Sequence, residues 1–95
     1  MKTEAIVKII GEKSEGVSQV TGNAWRTLPL LLEWEDGEGM NRVWGVLFNE
    51  VIERFELQGI GSGDVCNVTL CFTTRAYRTG YCKTDARIID IMKKQ

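Results

Sequence analysis

Apolar residues return at every second position along most of this chain, and that period constrains it to a β-rich fold. Leu28, Leu30, Leu32 and Trp34 share one parity, as do Cys66, Val68, Leu70 and Phe72, and again Cys82, Thr84, Ala86 and Ile88. Successive side chains of a strand point to opposite faces, so each set lines one face. The strands read as residues 4–11, 25–35, 42–48, 65–74 and 81–92. Pro29 cannot donate a ladder hydrogen bond, so its strand needs a free edge or a bulge there. Residues 12–24 are polar with two glycines and read as a mobile loop, and 36–41 as a turn. One segment breaks the period. Within 49–57, Val51, Ile52 and Phe55 fall at i, i+1 and i+4, which is helical spacing. Asn49 is placed to cap that helix, Glu50 and Glu53 favour its N-terminal end, and Gly59, Gly61 and Gly63 end it.

Five strands with one short helix between the third and fourth follow the order of an OB-fold, an all-β, five-stranded Greek-key barrel. Another small barrel, such as an SH3-like one, is the alternative, and the helix position favours the OB order. A length of 95 residues suits a single domain over 1–95. A chain of this size buries about 60–70% of its unfolded surface, enough for one core. No apolar run approaches the roughly 20 residues of a membrane span. The N-terminal MKTEAIVKII puts Glu4 and Lys8 where a signal peptide needs an apolar run. A cytoplasmic protein without a membrane partner is the expectation.

The chain offers little chemistry. It has no histidine, and its three cysteines, Cys66, Cys71 and Cys82, lack C-x-x-C spacing. Neither a disulfide framework nor a metal site is suggested, and small buried thiols are expected. No glycine motif for nucleotide phosphates is present and no carboxylate spacing marks a catalytic pair, so neither a cofactor nor enzyme activity is expected. The net charge of −1 conceals segregation. Residues 75–87 carry Arg75, Arg78, Lys83 and Arg87 against Asp85, or +3, whereas Glu33, Glu35, Asp36 and Glu38 give −4 over 33–38.

The basic stretch, TTRAYRTGYCKTDAR over Thr73–Arg87, reads as two strands around an Arg-Thr-Gly turn. If Val68, Leu70 and Phe72 point inward, Thr73, Arg75 and Tyr77 point outward. If Cys82, Thr84, Ala86 and Ile88 point inward, Tyr81, Lys83, Asp85 and Arg87 point outward. Cations and rings on one surface suit a single strand: cations follow phosphates, and rings stack on bases without reading them. Each feature also has a structural reading. Tyr77 and Tyr81 can be cross-strand partners, and Arg87 can pair with Asp85 or Glu4. Trp25, beside Arg26 at the start of its strand, is a candidate stacking platform. Trp34 shares parity with Leu30 and Leu32 and is expected in the core. Trp44 lies with Val46 and Phe48 on the second apolar face of its strand, open to the core, to nucleic acid or to a second subunit.

Four segments resemble a family of small bacterial and phage OB-fold domains that look like single-stranded DNA-binding proteins: TGNAW at 21–25, VLFNEV at 46–51, SGDVCNVTL at 62–70, and TRAYRTGY with TDAR at 74–87. The resemblance covers nearly the whole chain. It implies sequence-tolerant binding of single-stranded DNA, with RNA as the alternative, in replication, recombination or repair. The residues placed at that site are Trp25, Arg26, Trp44, Arg75, Tyr77, Arg78, Tyr81, Lys83 and Arg87. The acidic turn Glu35-Asp36-Gly37-Glu38-Gly39 departs from the family and is expected to lie off the path of a phosphate backbone. A competing function is protein interaction or assembly, including a homo-oligomer, with the barrel as scaffold and no nucleic acid.

Overall fold

The computed structural model describes residues 1–94. In order it contains strands β1 (Lys2–Ile10), β2 (Ser14–Val17), β3 (Ala24–Asp36) and β4 (Gly39–Phe48), helix α1 (Glu50–Leu57), and strands β5 (Val65–Ala76) and β6 (Cys82–Lys93). β1 pairs antiparallel with both β5 and β3, β3 with β4, and β5 with β6. β4 and β6 run parallel and close the circuit through only two residue pairs, Gly45↔Ala86 and Val46↔Arg87. The connectivity is that of the OB-fold expected from the sequence, with the sheet closed on itself at a narrow seam.

The segment read as a loop contains β2. It continues β1 alongside β3: Ile10 stands opposite Leu30, and after a break Ser14 stands opposite Thr27. No apolar alternation marks β2; it exists because β3 offers an edge. The break at 11–13 falls beside Pro29, where the sequence requires a free edge or a bulge. There the Gly11 N–H donates to the Pro29 carbonyl at 2.8 Å. A Cβ on Gly11 would sit 2.6 Å from Pro29 Cγ, so glycine permits the approach.

The inward parity is buried as expected. Leu28, Leu30 and Leu32 of β3, Leu47 of β4, Cys66, Val68 and Leu70 of β5, and Ile88 and Ile91 of β6 form one core with Ala5 and Val7 of β1. Trp34 is half-buried against that cluster. α1 closes one end of the barrel with Val51, Ile52 and Phe55, the apolar stripe its spacing gives. Gln58 ties the helix end to β6: its amide nitrogen donates to the Ile91 carbonyl at 2.9 Å, and its oxygen accepts from the Lys93 N–H at 2.8 Å.

Asn49 does not cap α1 with its side chain. Its Oδ1 accepts from the Arg26 N–H at 3.0 Å, while its own N–H donates to the Arg26 carbonyl at 3.1 Å. The residue adopts φ 48° to make this clamp between β3 and the helix start. The sheet offered the carboxamide a fixed donor, and the cap gave way to it.

β5 and β6 outrun the barrel. Beside β5, the ladder to β1 ends at Thr69, with the Leu70 N–H donating to the Met1 carbonyl at 2.7 Å. Beside β6, the ladder to β4 begins only at Ala86. Residues from Phe72 to Asp85 therefore form a hairpin without a strand on either flank. Its inward parity, Phe72, Cys82 and Thr84, was expected in the barrel and is exposed instead. Of the cysteines only Cys66 is buried, and burial pushes its thiol up; Cys71 and Cys82 are exposed, against the expectation of three buried thiols.

Candidate nucleic-acid interface

The outward parity of β3, β4, β5 and β6 builds one continuous surface. Along β4 it presents Trp44, Val46 and Phe48, and the facing β3 residues are Leu31, Pro29 and Thr27. Across the seam Val46 stands beside Arg87. On the hairpin, Thr73 faces Asp85, Arg75 faces Lys83, and the ladder runs out at Ala76↔Cys82, just before Tyr77 and Tyr81. Trp44 is 49% exposed. The second apolar face of β4 thus points away from the core.

Arg87 does not pair with Asp85 or Glu4. Its guanidinium lies over the Phe48 ring, 4.8 Å from the centroid, a cation–π geometry. Glu4 is taken by Lys94 at 2.7 Å, and Asp85 meets Lys83 only at 3.8 Å. A groove of about 290 Å³ runs beside this stack, lined by Val46, Phe48, Thr73, Arg75, Asp85, Ala86 and Arg87. A second, of about 460 Å³, opens where β6 leaves β4; Trp44, Val43, Phe72, Thr84 and Asp85 are among its walls.

At the tip, Tyr77 and Tyr81 face each other with ring centroids 5.7 Å apart and planes tilted by 31°. The Tyr77 N–H donates to the Tyr81 carbonyl at 2.8 Å, and the Gly80 N–H to the Tyr77 carbonyl at 2.9 Å. Gly80 takes φ +83°, the left-handed position that closes a three-residue hairpin loop. The rings are cross-strand partners, and both remain exposed.

The arginines divide by position. Arg26, Arg42 and Arg54 each pair with a carboxylate, at 2.8 Å (Glu53), 2.7 Å (Glu33) and 3.9 Å (Asp90). Among the described residues, Arg75, Arg78 and Arg87 have no carboxylate within the 4.0 Å reach of an ion pair. In a chain with more acidic than basic residues, three arginines on one hairpin keep their charge available.

Of the residues proposed from sequence, Trp44, Arg75, Tyr77, Tyr81, Lys83 and Arg87 come together on this surface, with Arg78 in the turn above it. Trp25 shares the outward face of β3 but lies six residues from Leu31, the partner of Trp44, or about 20 Å along the strand. Its indole lies over Gly16 of β2, where a Cβ would come within 2.3 Å of the ring. Arg26 points elsewhere, to Glu53 on α1. Phe48, Phe72 and Asp85 were not singled out by sequence. Phe48 could have been, because it shares the second apolar face with Trp44.

The acidic turn joins β3 to β4. Because β4 and β6 are parallel, this turn and the basic hairpin project from the same end of the barrel. Asp36 is occupied locally: its carboxylate accepts from the Glu38 N–H at 2.8 Å and from Asn41 Nδ2 at 2.7 Å, which hold it below the ordinary carboxylate range. Among the described residues, no cluster of histidine, cysteine, aspartate and glutamate could hold a metal ion, and no helix is long and apolar enough to cross a membrane.

No protein-family model and no curated protein matches the sequence. Solved structures do. The second OB-fold domain of replication protein A from Methanococcus maripaludis superposes with a TM-score of 0.61 at 21% identity, over 97% of this chain and 80% of that one. A small single-stranded DNA-binding protein from Streptomyces coelicolor aligns over 99% of this chain and 94% of its own, with a TM-score of 0.39 and 14% identity. The first likeness agrees with the strand connectivity: the chain is an OB-fold.

Proposed function

We propose that residues 1–95 act as one cytoplasmic OB domain that binds single-stranded DNA, with RNA as the alternative ligand, and catalyses no reaction. A role in replication, recombination or repair, in a bacterium or phage, fits such an activity. The observation that carries the reading is the outward face of β4 and β6, where exposed Trp44 and the Arg87–Phe48 stack adjoin arginines that have no acidic partner among the described residues. Rings there would stack on bases at roughly 1–3 kcal/mol each, and Arg75, Arg78, Lys83 and Arg87 would neutralise phosphates. In this fold oligonucleotides bind the face of the second and third strands, here β3 and β4, with the loops flanking it; β4, which carries Trp44, Val46 and Phe48, belongs to that face, and the β5–β6 hairpin is one of those loops. The OB domain of replication protein A is of the same fold, which supports the reading by analogy.

Titration of tryptophan fluorescence with oligothymidylate tests it. Three or four phosphate contacts give a slope of about −2 to −3 in log K against log salt, or roughly a 20- to 50-fold loss between 50 and 200 mM. Trp44→Ala is expected to weaken binding by roughly 1–3 kcal/mol while the fold is retained. Absence of quenching at tens of micromolar DNA in low salt would rule the reading out. The competing assembly role predicts that outcome together with a smaller sedimenting species for Trp44→Ala.

A further inference from the structure

Among the described residues Asp85 is the carboxylate that lines both grooves of this surface, and it does not suit phosphate. It sits between Lys83 and Arg87 on the outward face of β6. Its side chain is about half exposed, and its only cation contact among the described residues, Lys83 Nζ at 3.8 Å, is too long for a hydrogen bond. Both oxygens keep their acceptor capacity. The larger groove beside it exists because the β4–β6 ladder stops at Gly45↔Ala86, so the hairpin diverges from β4 and leaves a gap. Trp44, Phe72, Val43 and Val46 supply apolar walls to that gap, and Asp85 lies at its edge together with Thr84 and with Arg42, whose guanidinium is held by Glu33 at 2.7 Å. Apolar walls with an acceptor-only group at one side are complementary to a planar ring that has hydrogen-bond donors along an edge.

We infer that this groove receives one unstacked base and that Asp85 reads its Watson–Crick edge, favouring guanine. Guanine presents adjacent N1–H and N2–H donors, which match the two oxygens of one carboxylate. Thymine and uracil flank a single N3–H with two carbonyl oxygens, which would face the carboxylate and be repelled. Adenine and cytosine offer one amino group beside a ring-nitrogen acceptor, an intermediate match. Asp85 is thus a specificity-determining residue in a site whose other contacts, stacking and phosphate neutralisation, tolerate any base. The inference rests on the single-strand binding proposed above.

Three 12-mers separate the outcomes: all-thymidine, one with guanosine at every third position, and one with inosine in those places, which lacks the 2-amino group. Wild type is expected to bind the guanosine oligomer roughly five- to tenfold more tightly than the thymidine one, the lower part of the range for a bidentate base contact, with inosine between them. Asp85→Asn and Asp85→Ala, at an exposed position without a hydrogen bond to lose, are expected to fold normally and to reduce that ratio below about twofold. Equal affinities of wild type for all three oligomers would overturn the assignment. So would variants that tighten binding to all three by one common factor, since Asp85 would then only repel phosphate. If wild type binds none of them, single-strand binding itself fails, an outcome distinct from equal affinities.

Discussion

Val68 and Phe72 lie on the same face of β5, four residues apart, yet Val68 is 2% exposed and Phe72 46%. The partner strand repeats the contrast: Ile88 is fully buried, and Thr84 on the same parity is exposed. The alternation is identical in both halves of this long hairpin; only the surroundings differ. Below Leu70, β1, β3 and α1 cover the inward side. Above it β1 ends and β4 diverges from β6, and the inward side meets solvent. A period of two therefore tells which residues share a face, but not whether another element covers that face. In this molecule the covered half is the core, and the uncovered half carries Arg75, Tyr77, Tyr81 and Lys83 on its outward face and exposed Phe72 on the other.

The largest expected effect comes from deleting equivalent apolar volume in the two regions. Leu30→Ala, at a fully buried position, should cost about 2–5 kcal/mol of folding free energy. Phe72→Ala removes a larger ring but should cost only about 1 kcal/mol, since nearly half of that residue stays in water. Denaturant unfolding of both variants measures the difference. Comparable losses would mean that the hairpin packs against the body and that the two regions are one.

Most of the body was legible in the sequence because its faces are buried and its period is clean. Leu28, Leu30 and Leu32, the Val51–Ile52–Phe55 stripe and the Pro29 irregularity all follow from local rules. β2 did not, because Ser14–Val17 becomes a strand only through the edge that β3 presents. The Asn49 cap failed for a similar reason: a backbone donor on β3, distant in sequence, outcompeted the helix. In the candidate site, parity correctly separated Arg75, Tyr77, Tyr81, Lys83 and Arg87 from the inward set. It did not show that Arg26 would be drawn to Glu53, or that Arg87 would leave Asp85 for Phe48. Both outcomes depend on neighbours that the fold alone brings together.

The boundary between the two regions is itself testable. Gly45 sits at the seam, and a Cβ there would lie 2.7 Å from Ile88 Cγ1 and 2.9 Å from its Cδ1. Ile88 is enclosed and cannot swing away. Gly45→Ala should therefore destabilise by about 1–3 kcal/mol through overpacking, less than Leu30→Ala. It should also widen the seam and weaken binding of single strands, joining a stability readout to an affinity readout at one residue. A variant as stable as wild type would mean that the seam yields freely, and that the body is not rigid up to its edge.

The smallest effect concerns acid, and it acts on the body. Asp64 lies in the turn before β5, where its carboxylate accepts from the Gly61 N–H at 2.8 Å with Lys93 Nζ at 3.4 Å. The Gly61 N–H first, and then Lys93, hold the carboxyl below the ordinary carboxylate range. A group whose folded value is depressed stabilises the fold above its unfolded value, and that contribution is lost as pH falls through the folded value. The melting temperature of wild type should thus decline as pH drops into and below the carboxylate range. Asp64→Asn, which keeps an acceptor but cannot titrate, should decline less steeply. Phe72→Ala should retain the wild-type slope, because the hairpin takes no part in this turn. If Asp64→Asn follows wild type at every pH, the turn is not the acid-sensitive point of the body. If Phe72→Ala instead changes the slope, the hairpin and the body are electrostatically coupled, and the separation drawn between them must be abandoned.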